Sequence, residues 1–218
     1  NMKKICLLLF PFLCVVAQVF GQQDAMSPVQ SKWEKIGEYV ELNYYNSDYC
    51  DYYLVSSRNK EIRVFPGKNN LVRVPFDQAA KYKNDPTFMQ SSFKTYKGYF
   101  PENLNPDFIY SLPIKAGDST SYAIDNKKPF KTYLFKVKSA DTIYAVRSGV
   151  VCIKQNQGLN NNEIDLENKG VLLVYHADCS FAFYENMKDL FVRPGEEIEV
   201  GQPIGLSSSK GELLMTFF

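Results

Sequence analysis

A mostly β protein is predicted by three features of the chain. From about Tyr39 onward apolar residues recur with a period near two, strand-favouring residues fill those runs, and Asn, Asp, Ser, Pro and Gly interrupt them. Stretches at helical spacing are few. The first runs are residues 40–45, 49–55, 61–65 and 70–74, with Pro66-Gly67-Lys68-Asn69 as a turn between the third and fourth. A polar stretch over 77–98 follows, and then a further strand candidate over 107–114 that ends at Ala116-Gly117. Short strands at such spacing predict a small β-sandwich-like domain, bounded here at residues 22–126. Its tyrosines Tyr44, Tyr45, Tyr49, Tyr52 and Tyr53 read as strand packing or, less simply, as a ligand platform.

The second region, residues 127–218, is denser in local signals. Residues 142–151 read as a strand, a Ser148-Gly149 corner and a second strand. Residues 170–176 and 180–184 form a hairpin around Ala177-Asp178-Cys179, preceded by a solvated loop over 155–169 that is rich in Asn and acids. In residues 192–205, Pro194-Gly195 fits a type II turn, because proline presets φ at the second position and glycine supplies positive φ at the third. Gly201 and Gly205 bracket a second tight turn. Folding back in this way makes Val192, Ile198, Val200 and Ile204 available to a core.

Composition narrows the function classes. The chain is 45% hydrophobic and 22% charged, which is globular, and its 25 Lys plus Arg balance 24 Asp plus Glu. Without a basic excess, nucleic-acid binding by counterion release is not expected. A single histidine, His176, excludes any chemistry that needs two imidazoles.

Met2-Lys3-Lys4 followed by an apolar run to Ala17 has the layout of a secretory signal peptide, and Gly21 ahead of Gln22 places cleavage after residue 21. Pro11 and Gln18 keep the run short of the roughly 20 residues that span a bilayer, and no later segment could cross one. Bulky Phe12 and Leu13 argue against a lipid anchor on Cys14. An exported protein, periplasmic or extracellular and associated with the cell envelope, is therefore expected. Export would put Cys50, Cys152 and Cys179 in an oxidising compartment, where at most one internal pair can form; buried unpaired thiols are the equal alternative.

The corner V-x-x-G-x-x-I-x-x-G-Q-x-I-G of residues 192–205 resembles folds of the barrel-sandwich hybrid type. Three further blocks point within that group to the lysostaphin-like, LytM-type zinc endopeptidases that cut peptidoglycan cross-bridges. Residues 144–151 resemble the family's V-x-A-x-x-x-G-x-V strand. Val174-Tyr175-His176 with residues 183–187 resembles I-x-H…Y-x-H-L, and residues 213–217 lie where the family carries H-x-H-F. The resemblance covers about residues 129–218 and implies a LytM-type barrel-sandwich hybrid domain. Phe218 falls in what the resemblance makes the last core strand, which leaves room for the natural chain to continue.

The same resemblance implies a degenerate site. The family binds zinc through a histidine, an aspartate four residues later and one histidine of H-x-H, with two more histidines assisting water. Counted back without gaps, the first two positions become Lys131 and Phe135; the others become Asn186, Leu214 and Thr216. None of these can hold a hydrolytic zinc, which needs three His, Asp, Glu or Cys ligands and an open position. No catalytic residue, metal ligand or cofactor is expected, and Tyr184 and His176 are left as candidates to line the former groove.

No other constellation replaces it. His176-x-x-Cys179 lacks a second ligand pair, no G-x-S-x-G elbow accompanies His176, and Lys210 lacks the neighbours of a modified carrier lysine. Glu196, Glu197 and Glu199 read as a solvated hairpin face. The expected function is thus an exported non-catalytic protein that binds a peptidoglycan peptide or an envelope protein, or regulates a cell-wall hydrolase. Two alternatives stand beside it: a cell-wall metalloendopeptidase with an atypical metal site, and an envelope interaction protein acting through the N-terminal sandwich.

Overall fold

The computed structural model describes residues 27–56, 61–89, 93–100, 108–126, 130–156 and 170–218. The signal-peptide reading and most of the 155–169 loop lie outside the described residues.

Two three-stranded antiparallel sheets make the N-terminal region. In the first, β2 (Tyr39–Asn46) is flanked by β1 (Val29–Ile36) and β5 (Gly67–Pro75); in the second, β3 (Tyr52–Ser56) is flanked by β4 (Glu61–Val64) and β6 (Phe93–Lys97). Only one short α-helix is described, α1 (Ala79–Lys83), and it closes a small cluster with Val40 and Val74. The polar stretch expected over 77–98 therefore contains α1 and β6. The strand expected near 107–114 does not form among the described residues there. Pro113 offers no N–H, so the segment makes single bonds instead: Ser111 donates to the Val146 carbonyl at 3.0 Å and Tyr144 donates to that of Pro113 at 3.0 Å.

The C-terminal region is one sheet in the order β13-β10-β11-β12-β15-β8-β7. Its strands are β7 (Ser121–Asp125), β8 (Thr132–Lys136), β10 (Gly149–Asn156), β11 (Gly170–Tyr175), β12 (Phe181–Leu190), β13 (Glu197–Ile198) and β15 (Glu212–Phe217). Off this path, β14 (Pro203–Ser207) pairs with β12 and with β9 (Thr142–Tyr144). The hairpin of β11 and β12 is the one its sequence predicts. Gly195 has φ +86° and the Glu196 amide donates to the Arg193 carbonyl at 3.0 Å, closing the turn that Pro194-Gly195 encodes. Val192, Ile198 and Ile204 enter the core as expected, but Val200 is exposed because it sits at the tip of the next turn.

Alternation along the strands separates two cores. Phe135, Leu172, Val174, Ala182, Tyr184, Leu213 and Met215 pack inside the C-terminal region. The opposite face contributes Cys152, Leu173 and Phe181 to a second core, which is completed by Val29, Leu42, Tyr44, Tyr52, Leu54 and Phe93 of the N-terminal sheets. Each N-terminal sheet thus packs against the outer face of β10 to β12. A polar clasp ties the same regions, with Arg63 paired to Asp51 at 2.6 Å and the Tyr175 hydroxyl donating to Asp51 at 3.1 Å. The tyrosine cluster is mostly packing: Tyr44, Tyr52 and Tyr53 are buried, and Tyr49 is exposed.

Candidate functional site

Strand β15 carries two of the expected site positions and decides their geometry. Its antiparallel register pairs Leu214 with Leu134 and Thr216 with Thr132 on β8, and on the other side pairs Leu214 with Glu185 and Thr216 with Phe183 on β12. Residues directly opposite share a face, so Leu214, Thr216, Thr132, Leu134, Phe183 and Glu185 look one way. Phe183 packs on the core shared with the N-terminal sheets, which fixes that direction. Thr216 is buried and its hydroxyl lies 2.8 Å from that of Thr132.

Lys131 and Phe135 do not join them. Phe135 pairs with Leu213 and packs in the interior core, one residue out of phase with Leu134. Lys131 lies with it, its ammonium 5.3 Å from the Tyr133 ring. Asn186 sits where the ladder of β12 shifts from β15 to β14, with φ +65°, and its carbonyl accepts from the Ser208 amide at 3.0 Å. The five positions are therefore divided between two faces and a bend, not gathered in one pocket. The β8 residues that share a face with Leu214 and Thr216 are Thr132 and Leu134, and neither is a zinc ligand of the usual kind. Among the described residues, groups of three His, Cys, Asp or Glu with donor atoms close enough for one ion are limited to Asp48, Cys50 and Cys152, which lie elsewhere. None of Lys131, Phe135, Leu214, Thr216, Thr132 and Leu134 offers a donor of the kind zinc takes.

Tyr184 and His176, left as groove candidates, are both structural. Tyr184 is fully buried, and its hydroxyl accepts the Val146 N–H at 3.1 Å. His176 is 1% exposed; its Nδ1 lies 2.9 Å from the Ser148 carbonyl, which only an Nδ1–H can donate to, and its Nε2 has no protein partner. Burial holds this imidazole below its ordinary value, with Arg147 adding to the effect and the Ser148 carbonyl and Asp178 opposing it. Unfolded, it would take up a proton near pH 6.5 that the folded form refuses. Stability should accordingly fall as pH drops below about 6.5 until the folded imidazole itself titrates. Since His176 is the chain's one histidine, denaturant titrations between pH 7.5 and 5.5 on the protein and on His176→Gln isolate this slope; equal slopes would refute it.

Beside this hairpin, Arg147 donates to Asp178 at 2.8 Å and to the Ser180 hydroxyl at 3.3 Å, and its guanidinium lies 4.0 Å from the Phe108 ring. Burial alone would raise the Asp178 carboxyl, but hydrogen bonds from Ser180 and Arg147 more than offset it and hold it below the usual range. Glu196 and Glu199 accept from the Arg193 amide and the Ser148 hydroxyl, so they fasten turns rather than form a catalytic pair.

A concavity that the sequence reading missed lies on the interior face of β8 and β15. About 330 Å³ in volume, it is walled by Tyr110, Tyr122, Tyr133, Phe135 and Phe217, with Lys131 at its edge. The alternation of aromatic residues at 133 and 135 on β8, matched by Met215 and Phe217 on β15, is the signal that places these rings on one face. Such a cavity suits an extended, partly apolar chain with a carboxylate near Lys131.

Residues 129–215 match the sequence model of peptidase family M23, the LytM-type family of the resemblance. Among solved structures, the chain is similar to a Pseudomonas aeruginosa M23 peptidase candidate at 11% identity and TM-score 0.38, covering 84% of this chain and 68% of that one. It is similar to a zinc-containing peptidase from Vibrio cholerae at 10% identity and TM-score 0.39, covering 82% of this chain and 52% of that one. Helicobacter pylori Csd3 shows 13% identity and TM-score 0.39 over 88% of this chain and 66% of its own. No curated protein matches. Residues 129–215, under half of the chain, thus match the model of peptidase family M23.

Proposed function

We propose that this chain is an exported, non-hydrolytic M23-domain protein of the cell envelope, which binds a peptide of the cell wall or of a cell-wall hydrolase without cutting it. The observation that carries this reading is the side-chain set around Leu214 and Thr216. Thr132, Leu134 and Phe183 surround them, and a hydrolytic zinc held there would lack the three donors it needs. Glu185 is the one carboxylate opposite Leu214, and one carboxylate does not hold the ion. Phe183 on this face packs against the core shared with the N-terminal sheets, whereas the open concavity is the aromatic cavity beside Lys131 on the opposite face. Fold and chemistry separate here: the M23 scaffold is kept and the metal chemistry is not. Among the described residues no helix is long and apolar enough to cross a membrane, which leaves the apolar leader of residues 5–17 as the basis for export.

The atypical-metal alternative has one observation in its favour, the group of Asp48, Cys50 and Cys152. Cys50 and Cys152 are buried in the shared core, so an ion there would have no position open to a substrate. Metal at that place would be structural.

Three measurements test the proposal. Elemental analysis of the purified protein should show no stoichiometric zinc, and a digest of purified peptidoglycan should release no peptide with or without added zinc. Co-sedimentation with the same peptidoglycan should retain the protein, and Lys131→Glu should weaken retention about tenfold, the factor for loss of about 1.4 kcal/mol. Chelator-sensitive release of peptides would overturn the non-hydrolytic reading, and unchanged retention of Lys131→Glu would overturn the cavity as its binding place.

A further inference from the structure

We infer that Cys50 and Cys152 are a disulfide site that joins the N-terminal sheets to the M23 domain. The two residues are about 100 apart in the chain, yet their sulfurs lie within 4.8 Å of each other, each buried in the shared core. Both are aimed by backbone devices. Cys152 is the extra residue of a bulge in β10, where the register with β11 jumps from Val151 opposite Val174 to Ile153 opposite Leu173. A bulge of this kind re-aims one side chain, and here it turns Cys152 toward the N-terminal sheets. Cys50 ends a tight turn fastened by Asn46, whose side-chain amide donates to the Cys50 carbonyl at 2.9 Å and whose Oδ1 accepts the Asp48 amide at 2.9 Å. Cys179, on the β11–β12 turn, instead receives the Arg63 guanidinium at 3.1 Å and is not part of this pair.

The surroundings favour a neutral bond over a metal. Asp48, the third group nearby, already accepts from Lys97 at 2.5 Å, from the Tyr52 hydroxyl at 2.9 Å and from the Tyr49 amide at 2.7 Å. An ion would have to displace Lys97, and among the described residues no fourth His, Cys, Asp or Glu joins the group. The neighbouring Cys152 thiol, together with burial, raises the Cys50 thiol well above its ordinary value, so both sulfurs rest as neutral thiols in the reduced, metal-free core.

The oxidant is a protein or small-molecule disulfide. One cysteine, as thiolate, attacks a sulfur of that disulfide and releases one reagent thiol. The second cysteine then attacks the mixed disulfide and releases the other. Two protein thiols are thereby oxidised and one external disulfide is reduced to two thiols. Because both sulfurs are buried, the exchange takes place as the chain folds, and the finished core shields the product. Export supplies the oxidising surroundings, but the chemistry can be tested without it.

The full chain is refolded from denaturant with a mixture of oxidised and reduced glutathione, alkylated, and digested without reduction. The expected result is one linked species containing the peptides of Cys50 and Cys152, with Cys179 alkylated. Recovery of Cys50 and Cys152 both alkylated, a link from either to Cys179, or one equivalent of zinc that protects both thiols of the reduced protein would each overturn the inference. The bond closes a loop of about 100 residues, so reductant should lower the melting temperature of the oxidised protein by roughly 10 °C. Cys50→Ser with Cys152→Ser should be indifferent to reductant. If that double variant does not fold, the peptide map of the unaltered chain still decides.

Discussion

Tyr184→Ala should destabilise the protein by about 4 kcal/mol, the cost of emptying a fully buried aromatic site, and lower its melting temperature by roughly 12 °C. The ring is enclosed by the interior core of the C-terminal region, between Leu172 on β11 and Met215 on β15. Burial also pushes the phenol up, since its ionised form would stand in that core. Tyr184→Phe keeps the ring and removes only the acceptor for the Val146 N–H, which is then buried without a partner. That loss should cost about 1.5 kcal/mol. Denaturant midpoints of the two variants separate packing from hydrogen bonding. Should Tyr184→Ala be as stable as the unaltered protein, the side chain would have to line an open groove instead.

Gly149→Ala is expected to be nearly as severe, at about 3 kcal/mol and close to 9 °C. A Cβ at this position would lie 2.4 Å from the Tyr175 carbonyl oxygen and 2.9 Å from Nδ1 of His176. The first contact is with backbone, so it is relieved only by moving β10 away from β11, where Val150 pairs with Tyr175. The second disturbs the hydrogen bond that fixes the His176 tautomer. Thermal unfolding followed by circular dichroism checks this. A shift under 2 °C would mean that the strands have room the packing does not show.

What could be read in the sequence was local. The Pro194-Gly195 turn and the β11–β12 hairpin follow from a few consecutive residues whose chemistry admits one conformation. The mostly β class followed from the period-two pattern, and the M23 domain from four short blocks in the right order. Strand β1 was not foreseen because Val29–Ile36 reads Val-Gln-Ser-Lys-Trp-Glu-Lys-Ile, with too few apolar residues to declare a face until β2 pairs with it. The site positions were harder still. An ungapped count reached Phe135, whereas Leu134 is the residue on the face of Leu214, and in a strand a slip of one residue exchanges the two faces. Register of that kind is set by the partner strand, which lies some 80 residues away in the chain. The meeting of Cys50 with Cys152 depends in the same way on tertiary packing and a bulge.

The outer face of β10 to β12 has a consequence for how the chain can be divided. Leu173, Phe181 and Cys152 have no interior of their own to enter; Tyr44, Tyr52 and Phe93 supply it, and would be wetted in turn if the halves were parted. Expressing either half by itself would trade a seam of contact for two greasy surfaces, so the C-terminal region and its companion sheets should fold and unfold as a unit.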